Sequence, residues 1–174
     1  MRATYGRVFC LVFLFPLASA QGAVKASPID NFQMVHSDLY RGARPNSKGL
    51  LYLKRIGVKT ILNLEDSKSG IKAEGRQAEA LGIREISLPM NVFAKPKDKV
   101  VNEALSVVID PSLRPLFVHC HEGKDRTGLI IALMRVEEEK WAPKFAYAEW
   151  LKYGFHRILF LMNHYFEVRT GFED

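Results

Sequence analysis

The residues best suited to chemistry lie in the stretch HCHEGKDRTG, residues 119–128. Cys120 is followed after a five-residue gap by Arg126, and apolar runs at 116–118 and 129–133 flank the stretch. This pattern predicts a strand that enters a short loop, which in turn opens a helix. Backbone N–H groups and the positive end of the helix dipole then converge on one point, where an oxyanion can bind.

Three side chains of this loop have complementary roles. Cys120 is the predicted nucleophile, because the field at a helix N-terminus favours the thiolate. The planar guanidinium of Arg126 can hold two oxygens of a phosphoryl group, and the Thr127 hydroxyl can donate to the sulfur when it leaves. Together they indicate cysteine-dependent phosphoryl transfer through a phospho-cysteine intermediate. The alternative is an unreactive cysteine buried at the end of a core strand.

The rest of the loop is predicted to bind the phosphate together with Arg126. This set comprises His121, Glu122, Gly123, Lys124 and Asp125. His121 and Lys124 add cations beyond the single clamp, which suits a substrate with several phosphates. Alternatively, they are ordinary solvated surface charges.

The loop resembles the signature of the protein tyrosine phosphatase superfamily, His-Cys-x5-Arg-Thr/Ser, with His119, Gly123 and Gly128 in register. The segments LYRGARP (39–45) and LKRIGVKTILNLED (53–66) are similar to its small atypical dual-specificity branch. The resemblance implies that His119 orders the loop by hydrogen bonding and tunes the sulfur.

The GKDRTG run resembles bacterial phosphatases that act on phosphoinositides and phosphoproteins. A lysine at the place of Lys124 also recurs in lipid and inositol phosphatases. The resemblance therefore implies a phosphatase whose preferred substrate is a soluble inositol polyphosphate, as in the cysteine phytases.

The family also implies a general acid, usually an Asp on the loop before the helix that starts near Asp98. Asn91 stands at about that place, and an amide cannot serve as an acid. Asp125 is the first substitute, because related Lys-Asp-Arg loops are thought to use this Asp. Asp98 is the second, although it also suits a helix N-cap. Asp66 and Glu122 are less favoured, and a readily departing leaving group would need no acid.

The N-terminal residues 1–20 have the pattern of a signal peptide. Arg2 and Arg7 precede an apolar run at 8–17, and Ala18-Ser19-Ala20 offers a cleavage site. The run is too short to span a bilayer, so we expect an exported, periplasmic or secreted protein without stable membrane insertion. The alternative is a buried N-terminal helix or a membrane anchor.

The mature chain, residues 21–174, is predicted to be one phosphatase domain and a monomer. Cleavage removes Cys10 and leaves Cys120 without an intramolecular partner, as befits a reactive thiol. It also removes two of 25 basic residues, so the net charge falls from +6 to 23 − 19 = +4. This charge suits a small phosphorylated substrate, whereas no nucleic-acid-binding motif is present.

Neither a metal nor a cofactor is predicted. His36, His119, His121, His156 and His164 show no ligand spacing with acids or cysteine. Two other functions remain open besides the inositol phosphatase. One is a phosphotyrosine, dual-specificity or phosphoinositide phosphatase, and the other is an inactive phosphate-binding module. A redox thiol protein would need a second cysteine to resolve a disulfide.

Hydrophobic periodicity predicts alternating strands and helices, and hence an α/β fold with a mostly parallel central sheet flanked by helices. The predicted strands are 32–35, 39–41, 59–64, 83–88 and 116–119, and the predicted helices are 48–56, 71–81, 98–109, 126–139, 143–153 and 155–169. The helix at 71–81 is polar on one side through Lys72, Glu74, Arg76 and Glu79.

Overall fold

A computed structural model describes residues 27–173. The predicted signal peptide lies outside the described residues. The strands are β1 (Gln33–His36), β2 (Leu39–Ala43), β3 (Thr60–Asn63), β4 (Arg84–Ser87) and β5 (Leu116–Cys120). The helices are α1 (Ser47–Arg55), α2 (Lys68–Ala80), α3 (Asp98–Ile109), α4 (Asp125–Glu137), α5 (Pro143–Lys152) and α6 (Phe160–Thr170).

The strands form one sheet in the order β1-β2-β5-β3-β4. Only the edge strand β1 is antiparallel to its neighbour, and the other described pairs are parallel. The predicted α/β fold with a mostly parallel sheet is therefore confirmed. β5 lies in the middle, and all five of its residues are buried. The loop after β5 lies at the carboxyl edge of the sheet, where ligands bind in open α/β sheets.

Alternating side chains of β5 reach two apolar layers, as expected for a buried strand. Val118 packs with α3 to α6 on one face, whereas Phe117 packs with α1 and α2 on the other. The central helix α4 is buried continuously from Asp125 to Arg135. Because α4 is buried on all sides, it cannot rotate to expose one face to solvent. Its position therefore fixes the loop that precedes it.

The sequence predictions for the helix ends were partly wrong. α2 begins three residues earlier than predicted, because the Ser67 hydroxyl caps it by accepting from the Gly70 N–H at 3.3 Å. The N-cap of α3 is Lys97, and Asp98 is the first helical residue.

The last helix also starts later than predicted, at Phe160 instead of Phe155. Gly154, with φ of 91°, turns the chain after α5. Phe155 is buried and stacks on Trp150, with ring centroids 3.8 Å apart. The segment 155–159 is therefore a loop, and this loop places His156 beside α4. Within residues 27–173, no helix is long and apolar enough to cross a membrane.

Candidate functional site

Cys120 ends β5 at the floor of a pocket of about 280 Å³. Its side chain is buried, with 1% of the residue exposed, and it forms no disulfide. The N-terminus of α4 follows after four loop residues, so the predicted order of strand, loop and helix is confirmed. The pocket is lined by Val92, Phe93, Cys120, His121, Glu122, Asp125, Arg126, His156, Ile158 and Leu159.

Gly123 holds the loop against β2. Its φ is 68°, and a Cβ there would collide with the backbone carbonyl of Gly42. The Gly123 carbonyl accepts hydrogen bonds from Arg41 Nη2 at 2.8 Å and from Asn31 Nδ2 at 3.1 Å. This carbonyl is turned away from the pocket by two donors. The loop can therefore present its N–H groups to an anion without a competing oxygen.

Arg41 is a buried cation behind the loop, and its charge would attract an anion in the pocket. Burial lowers the pKa of its guanidinium to about 10, while the nearby Cys120 and Glu149 act in the opposite direction. Its guanidinium also lies over the ring of Tyr153, 4.5 Å from the centroid. The buried charge adds to the positive field of the helix N-terminus.

One nitrogen of the Arg126 guanidinium is hydrogen-bonded to the protein, whereas another has no partner. Its Nη1 donates to the Met90 carbonyl and to Asp66 Oδ1, each at 3.1 Å. In the part of the chain that the structure describes, its buried Nε has no hydrogen-bond partner, and neither does the buried Thr127 hydroxyl. Unpaired buried donors are costly. A bound phosphoryl oxygen would supply a partner for the Arg126 donor.

His119 forms a buried pair with Glu74. Nε2 lies 2.7 Å from Glu74 Oε1, and Nδ1 lies 3.2 Å from the Cys120 carbonyl. Glu74 was assigned to the polar side of its helix together with Lys72, Arg76 and Glu79, but it is only 4% exposed. A histidine predicted on a buried strand requires a polar partner, and this requirement was the available signal.

The candidate general acids are in different places. Asp125 lies in the pocket, 8% exposed, and both of its oxygens are 3.1 Å from His156 Nδ1. Asp98 lines a separate pocket and accepts from the Tyr165 hydroxyl at 2.8 Å. Asn91 uses its side chain to accept from the Phe93 N–H, which turns its loop. The structure thus brings Asp125, but not Asp98, together with Cys120.

The remaining loop charges partly neutralise one another. His121 and Glu122 are exposed and line the pocket, whereas Lys124 is not among its lining residues. Lys124 Nζ lies 2.7 Å from Glu122 Oε2, and this hydrogen bond lowers the pKa of the Glu122 carboxyl and raises that of Lys124. Lys124 would have to leave Glu122 to bind a phosphate.

The pocket mouth has an apolar rim that the sequence analysis missed. Phe93 is 81% exposed and Ile158 is 86% exposed. They come from the loop before α3 and the loop before α6, and both line the pocket. Nothing in the local sequence predicts that these two loops meet at the Cys120 pocket.

Another pocket, of about 420 Å³, is lined in part by Asp66 and Met90. Lys95 and Lys97 border it, which places positive charge beside the residues that anchor Arg126. Residues 27–173 contain no cluster of three or more His, Cys, Asp or Glu side chains that could hold a metal ion.

Comparisons with known proteins agree with this geometry. Inositol diphosphatase DSP4 of Arabidopsis thaliana is 28% identical over 130 residues, which are 71% of this chain and 64% of that protein. Dual specificity protein phosphatase TpbA of Pseudomonas aeruginosa is 29% identical over 148 residues, which are 80% of this chain and 66% of that protein. The chain thus spans just under two thirds of the length of either relative.

The fold is also found in a solved structure. The catalytic domain of the phosphatase SIW14 from Saccharomyces cerevisiae matches with a TM-score of 0.70 and 24% identity, covering 80% of this chain and 85% of that one. The model of the tyrosine phosphatase family matches residues 27–170, which include every element of the sheet and the whole Cys120 loop. The chain therefore belongs to the tyrosine phosphatase family.

Proposed function

We propose that this protein is a cysteine-dependent phosphatase that hydrolyses phosphate monoesters. The Cys120 sulfur attacks phosphorus, the bond to the leaving oxygen breaks, and that oxygen takes a proton. Water then attacks the phospho-cysteine, inorganic phosphate is released, and the Thr127 hydroxyl stabilises the departing thiolate. Arg126 and the loop N–H groups hold the phosphoryl oxygens in both steps.

The observation that carries this proposal is a pair of buried donors without a partner in the first turn of α4, directly after the Cys120 loop. Arg126 Nε and Thr127 Oγ1 are both buried without a partner in the described chain, while Arg126 Nη1 is anchored. The guanidinium is thus fixed in orientation before any ligand binds. Such preorganisation is what transition-state stabilisation of a phosphoryl group requires.

Inositol polyphosphates are the proposed substrates. The support comes from DSP4, whose name describes an inositol diphosphatase, and from the basic charge of the chain, +6 in total. Lys124 in the loop and Lys95 and Lys97 at the neighbouring pocket could contact further phosphates of one ring. Each such contact would use an ammonium as a point charge.

A second candidate substrate is a phosphotyrosine-containing peptide. The apolar rim formed by Phe93 and Ile158 supports it, because an aromatic ring that enters the pocket would pack against exposed apolar surface. An inositol ring bears polar groups at every carbon and would gain little from this rim. The name of TpbA, a dual specificity protein phosphatase, is consistent with this candidate.

Two variants separate the candidates. Phosphate release is measured on inositol hexakisphosphate, a phosphotyrosine peptide and p-nitrophenyl phosphate. For an inositol phosphatase, Lys124→Met raises KM for inositol hexakisphosphate more than for p-nitrophenyl phosphate, and Phe93→Ala does not. For a tyrosine phosphatase, Phe93→Ala raises KM for the peptide, and Lys124→Met has no such effect.

Cys120→Ser tests the covalent mechanism itself. The variant should keep the fold and bind phosphorylated ligands but release no phosphate, because no other described cysteine can attack. Wild-type protein that binds these ligands without turnover would instead indicate a phosphate-binding module. A serine variant with near-normal turnover would refute the phospho-cysteine.

Export is a further part of the proposal, and it is supported only by the pattern of residues 1–20. Expression of the full chain followed by cell fractionation tests it. We expect the processed protein in the periplasmic or extracellular fraction, and an unprocessed protein in the cytosol would contradict export.

A further inference from the structure

The loop 155–159 brings a second histidine into the catalytic pocket. His156 and Cys120 line the same pocket of about 280 Å³. No role was assigned to His156 from the sequence, because the segment was predicted to be helical and its partner is 31 residues away. Its side chain is 45% exposed, so it can reach a substrate at the pocket mouth.

His156 is oriented by Asp125 through three contacts. The His156 backbone N–H donates to Asp125 Oδ1 at 2.9 Å, and Nδ1 lies 3.1 Å from both Oδ1 and Oδ2. A carboxylate accepts hydrogen bonds, so Nδ1 carries a proton in this pair. The ring nitrogen left for the substrate is Nε2, which donates whenever the ring is protonated.

The same contacts argue against direct proton donation by Asp125. Its two oxygens already accept from His156, and only 8% of the residue is exposed. The other charged groups facing His156 across the pocket are Glu122, His121 and Arg126. Glu122 interacts electrostatically with His156 across the pocket.

We propose that His156 is the general acid and that Asp125 acts through it as a positioning residue. This inference rests on the proposed phosphatase function. In the first step the S–P bond forms, the bond to the leaving oxygen breaks, and Nε2 of the imidazolium gives its proton to that oxygen. In the second step the neutral imidazole takes a proton from the attacking water, the S–P bond breaks, and the Cys120 thiolate and the imidazolium are restored.

The arrangement explains how the loop before α3 can lack an Asp. Asn91 has no proton to give, and Asp98 lines a different pocket. Asp66 is engaged with Arg126 Nη1 at 3.1 Å, on the anchored side of the guanidinium. Glu122 also lines the Cys120 pocket, but its carboxylate accepts from Lys124 at 2.7 Å. The pair of Asp125 and His156 is therefore the favoured acid there.

The test is a leaving-group series with the full chain. kcat/KM, which reports the first step up to phospho-cysteine formation, is measured on substituted phenyl phosphates of one shape, from p-nitrophenyl phosphate to phenyl phosphate, for wild type and His156→Asn. Asparagine keeps a donor near Asp125 but cannot act as an acid. We expect a loss of about 10²-fold or more on phenyl phosphate, whose leaving oxygen needs the proton, and a much smaller loss on p-nitrophenyl phosphate. The alkaline limb of the wild-type pH profile on phenyl phosphate should also disappear in the variant.

His36→Asn is the matched control. His36 is an exposed histidine paired with a carboxylate, Glu139, at 2.6 Å, and it lies on β1 outside the pocket. The control should keep the wild-type leaving-group dependence. His156→Gln, checked for folding by circular dichroism, repeats the test if the asparagine variant does not fold.

Three outcomes are distinguishable. A wild type that does not hydrolyse p-nitrophenyl phosphate contradicts the phosphatase proposal and this inference with it. If a His156 variant retains the shallow leaving-group dependence and the alkaline limb of the wild type, the inference about His156 is wrong and the phosphatase proposal stands. If Asp125→Asn then shows the steep dependence that the His156 variants lack, Asp125 itself is the acid.

Discussion

Nε2 of His119 lies 2.7 Å from Oε1 of Glu74, and both side chains are buried. His119 directly precedes Cys120, and its ring stacks on Phe117 with centroids 5.5 Å apart. Helix α2 is thereby tied to the end of β5. The pair fixes the point at which the strand enters the Cys120 loop.

Glu74→Leu should therefore lower both stability and activity. It leaves Nε2 of His119 buried without a partner, which costs about 1–3 kcal/mol of unfolding free energy. Glu74→Gln keeps one hydrogen bond and should lose less. Urea denaturation and phosphate release measure the two effects. Glu79→Leu, at an exposed site of the same helix, is the control. Equal behaviour of the two leucine variants would contradict a role for the pair.

Gly123→Ala should destroy the loop, and Gly171→Ala should not. Both glycines have φ of 68°, but a Cβ at Gly123 would meet the Gly42 backbone, whereas nothing lies within 4 Å at Gly171. The left-handed conformation alone costs an alanine about 1–2 kcal/mol. We expect that loss for Gly171→Ala in chemical denaturation, and a larger loss together with inactivity for Gly123→Ala. Similar stabilities for both variants would show that β2 can move away.

The sequence predicted the fold and the strand-loop-helix geometry around Cys120, because both depend on local patterns. Apolar runs defined the strands, helical periodicity defined α1 and α3, and the order of elements implied the parallel sheet. The loop was predictable because its cysteine, glycine and arginine are close in the chain.

The contacts that complete the site could not be predicted in this way. Glu74 lies 45 residues from His119, and Asp66 lies 60 residues from Arg126. A polar residue on a helix is assigned to solvent unless its partner is known. The segment 155–159 was predicted to belong to the last helix, but Phe155 is buried against Trp150 and the segment forms a loop.

Glu85→Gln should stabilise the protein near neutral pH. Burial raises the pKa of the Glu85 carboxyl, partly offset by the hydrogen bond from Ser87. A carboxyl whose pKa is raised in the folded state loses stability as the pH rises through its folded-state pKa. The ionised Glu85 carboxylate therefore lowers the free energy of unfolding at neutral pH. The glutamine variant removes this cost and should have a higher Tm there.

The gain should shrink as the pH falls below the ordinary Glu value of about 4.3, because Glu85 is then neutral in both states. Thermal unfolding of both proteins at several pH values measures this gain in Tm. Glu79→Gln on α2 is exposed and should show no such pH dependence. A gain that increases towards acidic pH would reverse the assigned direction.

Arg41→Met should separate activity from stability. Arg41 is 1% exposed, and its Nε and Nη1 have no hydrogen-bond partner in the described chain. Burial lowers its pKa to about 10, which shows that the charged form is held at a cost. Replacing an incompletely paired buried cation with an apolar residue of similar length is often neutral or stabilising. We therefore expect an unchanged or higher free energy of unfolding.

Activity should nevertheless fall, because Nη2 of Arg41 is the charged donor to the Gly123 carbonyl. A hydrogen bond to a charged group contributes about 1.5–3 kcal/mol, and losing it from the loop should lower kcat/KM by about 10- to 100-fold. Arg55→Met is the control, since Arg55 also lies over a tyrosine ring, Tyr52, but on α1 outside the pocket. Urea denaturation and phosphate release on p-nitrophenyl phosphate are measured side by side. If Arg41→Met loses stability and keeps its kcat/KM, Arg41 supports the core of the protein and not the geometry of the loop.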